Sequence, residues 1–498
     1  MLKDKFAAVA EMPAMHKALG FLDGNIYPAV YAALALLSSF FGLEIPLFVL
    51  TALLIVFVCL FARDTRSLLV PVVFVMFGMS WKHTPQPPYY SDFLTQTYFY
   101  IVLGVLGALV LAAFVWRLIV WRGERNFFKD KSAYKWGLVA LCAALLLNGI
   151  FFSGYVISDL FLGALFAFSF IGLYIFFFNT LETRKNLHMY AAYLLALACA
   201  VIFVQIVYIL LFGDVIKDGS INKDFFVAGW GMSNNVGGYL AFFLPACFYL
   251  SVKVRRGWIL YVLGFVFFGG IFFTQSRTAI LVGGFAVVCM AVYLSVVRSP
   301  QRKFIRIFNI VCVAAVIVGA VVFWEKIADL FAVIFDRGFD DSDRFFIWES
   351  GLKNFLRAPV FGVGFYEPIA PDWSYGIENW LFPDMYHNLF IQMLAGCGIV
   401  GIAALVFHLV QFAVVIFKKG ITVERLFCAA VALVILGTSL LDNHLFHVFP
   451  ALIYSVMLLF SERAPVKEAP PAEGSDRERG EPLPEPCSAE TEGGQDRK

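Results

Sequence analysis

Charge is scarce in this chain. Only 15% of its 498 residues are Asp, Glu, Lys or Arg and 61% are hydrophobic, against about 25% and 45–50% in an average soluble domain. That balance excludes a water-soluble globular protein. Metal-site cysteine spacing is missing too. Most of the nine cysteines lie inside apolar runs without a CxxC or CxxxH pattern, so they read as small buried hydrophobes. A cleavable signal peptide is not expected, because the first 25 residues are polar and the first apolar run leads into more membrane helices. No internal repeat of the kind common in secondary transporters is evident.

What is abundant is apolar sequence in stretches of about 17–25 residues, each long enough to cross a hydrocarbon core of roughly 30 Å as a helix. The expected fold class is an all-α polytopic membrane protein of about 12–14 transmembrane helices. Fourteen segments are predicted, at 26–40, 43–61, 67–79, 96–116, 136–152, 159–178, 189–212, 237–252, 258–274, 278–297, 307–323, 398–417, 426–440 and 449–461.

The net charge of +2 says little; its distribution says more. Connectors at 63–66, 117–135, 183–185, 253–256, 298–306 and 418–425 are basic, and the positive-inside rule puts them in the cytoplasm. The alternate connectors, including 81–93 and 213–236, are acidic, aromatic or neutral and belong outside. Both termini then fall in the cytoplasm, with residues 1–25 as the N-terminal segment. The Pro-, Glu- and Gly-rich tail at 462–498 has almost no aliphatic residues and cannot bury a core, so it is expected to be disordered. Between a transmembrane bundle at 26–323 and C-terminal membrane helices at 398–461 lies one long external loop, 324–397. Within it, "RFFIWESGLKNFLRAP" (344–359) sets Phe345, Trp348, Leu352, Phe355 and Leu356 at helical spacing, which predicts an amphipathic helix on the membrane surface. "DDSD" (340–343) supplies capping residues before it. The aspartates of 335–344 do not reproduce an EF-hand loop and read as a solvated turn and helix cap.

"FFTQSRTAILVGG" (272–284) puts Arg277 between two apolar runs. A charge at the centre of a membrane helix costs about 2.5–3.5 kcal/mol on insertion scales, but this topology makes "TQSRT" an external turn at the edge of the hydrocarbon. Alone, such an arginine reads as an interfacial side chain snorkelling to the headgroups. It has company on the same face. Arg344 opens the surface helix, and His387 in "MYHNLFIQML" precedes another helix. A guanidinium carries five donors in a planar fork matched to phosphate oxygens, so two of them can hold a diphosphate. His387 titrates in the range that suits a general base, with His444 and His447 of "LDNHLFH" (441–447) as rivals on the same face.

These segments resemble the O-antigen ligase and polymerase superfamily. "FFTQSRTAILVGG" is similar to its Ser-Arg turn, and "DRFFIWESGLKNFLRAPVFGVGF" (343–365) to its Arg-x3-Trp surface segment, which ends in Pro and a Gly-x-Gly turn. "HNLFIQMLAGCGIVG" (387–401) resembles its His-Asn helix start, and "GWGMSNNVGGYLAFFLPA" (229–246) its upstream Asn-Gly segment. The matches cover about 225–420, in the family's order.

The resemblance implies a C-type glycosyltransferase fold in a bacterial cytoplasmic membrane, with its site on the extracytoplasmic face. It implies transfer of a glycan from undecaprenyl diphosphate to an acceptor hydroxyl, with inversion, without metal or other cofactor and without nucleic acid. Carried over, Arg277 and Arg344 would bind the diphosphate and His387 would be the base, with Ser276, Asn388, Asn235 and His444 as supporting residues. The partners implied are the carrier-linked glycan, a glycan or lipid acceptor, and membrane lipid. A polymerase using the growing carrier-linked glycan as acceptor fits the same pattern, as less readily does transfer to a protein side chain; a transporter is the contrasting class. One departure stands out. Where the family commonly carries a glutamate before the final glycines of the His-Asn helix, this chain reads Ala395-Gly396-Cys397-Gly398, leaving Glu367, Glu378 and Asp384 as nearby carboxylates.

Overall fold

The computed structural model describes residues 6, 8–80, 97–121, 125–182, 186–213, 215–217, 220–223, 226–325, 344–366 and 385–465. Over these the chain is almost entirely helical. The helices are α1 (Pro13–Leu22), α2 (Ile26–Phe41), α3 (Glu44–Phe61), α4 (Leu69–Phe74), α5 (Thr97–Val120), α6 (Lys135–Leu146), α7 (Ile157–Thr180), α8 (Leu187–Phe212), α9 (Ser233–Lys253), α10 (Gly257–Phe273), α11 (Arg277–Val296), α12 (Arg302–Val322), α13 (Arg344–Arg357), α14 (Leu389–Lys418), α15 (Val423–Asp442) and α16 (Val448–Arg463). Two short hairpins, β1–β2 (Ile216–Lys217, Ser220–Ile221) and β3–β4 (Val227–Ala228, Gly231–Met232), are both antiparallel.

Among the described residues nine helices are long and apolar enough to cross a membrane, and ten if the pair α1 and α2, bent by 72°, makes one span. Shorter apolar helices occupy Arg66–Gly78, Lys135–Leu146 and Gly257–Phe273. Each of the fourteen predicted segments meets a helix. The main displacement is at α14, which begins at Leu389, nine residues before the predicted start. Gly398 (φ 63°, ψ −157°) breaks this helix without ending it.

The core is organised around α9, nearly all of which is buried although it is the least apolar of the nine spans. It packs against α8, α10, α11 and α15. A helix enclosed by protein does not have to match the lipid, and small residues let its neighbours come close. By contrast α5 and α12 bury little of their surface and face outward, as lipid-exposed spans do.

At one end of the bundle, buried and half-buried arginines bind the carbonyls that helix C-termini leave unpaired. Arg117 donates to the carbonyls of Ala62 and Arg63 just past α3. Arg425 reaches Lys419 and Gly420 after α14 and Ala464 and Pro465 after α16. Arg463 donates to Phe177, Phe178 and Leu181 at the end of α7. The opposite end carries the candidate site.

Candidate functional site

The site starts from the first two turns of α9. Gly237 leaves room for the Thr274–Ala279 turn: a Cβ there would meet Thr274 Oγ1 at 2.5 Å and Ser276 Cβ at 3.0 Å. Gly238, on the next residue, abuts the His444 ring, whose Nε2 would lie 2.6 Å from an added Cβ. One turn earlier Asn234 Nδ2 donates to Asp442 Oδ1 at 3.3 Å. Two adjacent glycines therefore bring together the turn that carries Arg277 and the α15–α16 corner that carries Asp442 and His444. Of the predicted Asn-Gly segment, Asn234 reaches this cluster, whereas Asn235 packs against Gly231 of β4.

Arg277 is the first residue of α11 and is exposed. Ser276 is buried and caps the helix, its hydroxyl accepting from Ala279 N at 3.3 Å, while Gln275 before it is left-handed (φ 53°). Among the described residues Arg277 forms no ion pair and no hydrogen bond, and it stands exposed at a helix N-terminus.

Arg344 opens α13 and pairs with Asp442, Nη2 to Oδ1 at 3.1 Å, across 98 residues of sequence. Asp442 is buried at the end of α15, and its Oδ2 has no hydrogen-bond partner among the described residues. His387 lies outside the helix of α14, half-buried and left-handed (φ 48°). Asn388 caps that helix, its Oδ1 accepting from Phe390 N and Ile391 N, while its Nδ2 donates to Leu440 O at 3.1 Å. Burial pushes the His387 imidazole below its ordinary value; Asp442 opposes that, and Arg344 and His444 add to it. The lowered pKa favours the neutral ring, the form a general base needs. His444 is fully buried in the turn after α15, and burial lowers its pKa too, against Asp442. It sits under the site, its ring 5.3 Å from Phe242 and 5.9 Å from His447, so it is less accessible than His387.

One amide ties the two histidine corners together. Gln392, 1% exposed, accepts through Oε1 from Tyr386 N at 2.9 Å and from Asn443 Nδ2 at 2.7 Å. Tyr386 precedes His387, and Asn443, itself left-handed (φ 52°), precedes His444.

A second device fixes the far end of α13. Gly362 (φ 73°) and Gly364 (φ 93°) let the chain insert into the break of α14. Val363 N and Gly364 N donate to Ala395 O and Gly396 O, and Ile399 N and Val400 N donate to Pro359 O and Val360 O. Asp159 Oδ1 on α7 then accepts from Phe365 N (2.7 Å) and Tyr366 N (2.9 Å). The glycines read as a turn in the sequence are a backbone lock.

The surface helix has its predicted place, and one side of it packs on the protein. Ile347, Ser350, Gly351 and Asn354 are buried, Gly351 against Ile391 and Tyr386, whereas Phe345, Leu352 and Leu356 stand exposed. Sequence reasoning missed Asp442, Asn234 and Gln392. The signal for Asp442 was in "LLDNH" beside a candidate histidine. The carboxylates weighed earlier, Glu367, Glu378 and Asp384, lie outside the described residues, as do the aspartates of 340–343. Among the described residues no group of three His, Cys, Asp or Glu is arranged to hold a metal ion.

Residues 262–406 match the family described as O-antigen ligase, which supports the resemblance to the O-antigen ligase and polymerase superfamily. The matched region contains Arg277, Arg344 and His387, while Asp442 and His444 lie beyond it. No curated protein matches the chain.

Proposed function

We propose, from the premise that this chain carries an O-antigen ligase domain, that it transfers a glycan from undecaprenyl diphosphate to an acceptor hydroxyl at the extracytoplasmic face of a bacterial cytoplasmic membrane. The observation that carries the reading is the Arg344–Asp442–His387 cluster, set at the same end of the bundle as Arg277.

The acceptor oxygen attacks the anomeric carbon as the bond from that carbon to the diphosphate oxygen breaks, with inversion. His387 takes the hydroxyl proton, and Asp442 Oδ1 and Oδ2 offer a carboxylate to the imidazolium that forms. The leaving diphosphate takes the bonding electron pair, and its charge falls on Arg277 and Arg344. Donors already in position where charge develops supply the largest share of such catalysis. Arg344 has five N–H donors, so it can keep Asp442 while offering others to phosphate. A carboxylate next to the base is thus available from α15 although the family glutamate near Gly396 is absent. Neither metal nor cofactor is required in this scheme.

The carrier-linked glycan is the donor. A lipid-linked core as acceptor would make the protein a ligase, and a second carrier-linked glycan would make it a polymerase. Basic connectors at the end opposite the site support an external active face. A transporter fits less well, since the ionisable groups gather at one end and not at the bilayer midplane. The test is reconstitution with a carrier-linked glycan and candidate acceptors, comparing wild type with Arg277→Ala, Arg344→Ala and His387→Ala. Transfer by wild type and loss in all three folded variants is the expected result. Failure of wild type to release carrier diphosphate with any acceptor would overturn the reading.

A further inference from the structure

From residue 225 to residue 324 the chain has no Asp or Glu, yet it carries Lys253, Arg255, Arg256, Arg277, Arg298, Arg302, Lys303 and Arg306. All except Arg277 lie at the end of the bundle away from the candidate site. They sit on two connectors, α9–α10 and α11–α12, and the fold joins these connectors. Gln301 Nε2 donates to Arg255 O at 2.7 Å, and Trp258 and Phe304 bring their rings to 5.9 Å. Lys253 is committed to Glu424 of α15, and Arg302 and Arg306 turn back to the Ser295 carbonyl. The side chains of Arg255, Arg256, Arg298 and Lys303 are exposed and form no ion pair or hydrogen bond among the described residues.

The apolar surface next to this cluster is equally one-sided. The first half of α12 is pinned to its neighbours, with Asn309 bonded to Tyr261 OH and to Ser295 Oγ and Phe308 packed on Phe265. Its outward face is bare from the end nearest the cations: Ile307, Ile310, Val311 and Val313 are all exposed. An aliphatic helix face thus rises directly from a patch of four unpaired cations.

We propose that the α9–α10 and α11–α12 connectors form a binding site for the headgroup of an anionic phospholipid, with its acyl chains along α12. Four cations with no carboxylate within their own hundred residues of sequence would repel one another at a protein–water boundary. An anionic lipid removes that repulsion, because juxtamembrane cations attract anionic headgroups and the exposed aliphatic side chains already require acyl chains beside them. Free phosphate offers the same charge but leaves the aliphatic face unused, so a lipid is the occupant the geometry fits. The inference does not depend on the proposed glycosyl transfer.

The test uses the full chain purified in a mild detergent and native mass spectrometry with added phosphatidylglycerol or phosphatidylcholine. Retention of phosphatidylglycerol at least about fivefold above phosphatidylcholine is expected. Replacing Arg255, Arg256, Arg298 and Lys303 by Gln is expected to abolish that preference. Replacing Lys17, Lys129, Lys131 and Lys418 by Gln removes the same charge elsewhere and is expected to leave it intact. If the fourfold variant does not fold, the pairs Arg255→Gln/Arg256→Gln and Arg298→Gln/Lys303→Gln are each expected to lower it. Equal retention of the two lipids by wild type, equal loss in the control variant, or complete displacement by inorganic phosphate would each overturn the proposal.

Discussion

A cation at the first position of a helix is opposed by the partial positive charge of the exposed N–H groups there. Arg277 holds that position with no acidic partner among the described residues, as the proposed role in binding the diphosphate requires. Arg277→Ala is expected to lower kcat for glycan transfer on the order of 10²–10³-fold, the usual effect of deleting one preorganised donor. Arg277→Lys keeps the charge but loses the fork and is expected to recover only part of that rate. Steady-state rates on a carrier-linked glycan check both. Asp442 calls for a different experiment. Its charge raises the His387 pKa against burial and against Arg344. Removing it in Asp442→Asn lets that pKa fall further, so the acid limb of kcat/KM against pH moves to lower pH even as the rate drops. An acid limb that stays in place would show that Asp442 does not act on His387.

At the scale of elements, two locks hold the site, and they differed in how far they could be read in advance. The Gly-x-Gly turn was visible as a pattern, but its purpose was not, because it depends on backbone groups of α14 that become available only where Gly398 breaks that helix. A Cβ at Gly398 would lie 2.4 Å from Val360 O, and φ of 63° is strained for any residue with a side chain. Gly398→Ala is therefore expected to cost more than about 2 kcal/mol, combining strain with a backbone clash. Gly319→Ala on exposed α12, where nothing lies within 4 Å, is expected to be neutral or slightly stabilising. Thermal unfolding of the two purified variants separates them. The second lock, Gln392, left no sequence signal, since its partners Tyr386 N and Asn443 Nδ2 come from different elements. Gln392→Met keeps the volume but orphans a buried N–H and a buried amide, each costing about 1–3 kcal/mol. It is expected to lower both the unfolding temperature and the transfer rate, because both histidine corners lose their tie.

At the scale of the whole molecule, hydropathy gave the helices because each span must satisfy its own backbone in lipid, a demand written locally in the sequence. It could not give the pairing of Arg344 with Asp442, which spans 98 residues, or the packing of Ile347, Ser350, Gly351 and Asn354 of α13 against the protein. The small polar face of α13 meets α14, and its apolar stripe stays exposed, as an amphipathic helix at a membrane surface requires. Sidedness follows the same logic of location. Buried arginines and basic connectors collect at one end, and Arg277, Arg344, Asp442 and His387 at the other. By the positive-inside rule Gln275 is expected outside and Lys131 in the cytoplasm. Both positions are exposed in connectors, and between them the chain crosses the bundle an odd number of times, through α6, α7, α8, α9 and α10. In a background with the native cysteines replaced, Gln275→Cys is expected to react with a membrane-impermeant maleimide in intact spheroplasts. Lys131→Cys is expected to react only after permeabilisation. The reverse pattern would put the arginine–histidine cluster in the cytoplasm and remove the basis for an external transfer site, whereas labelling of both from outside would contradict the odd number of crossings.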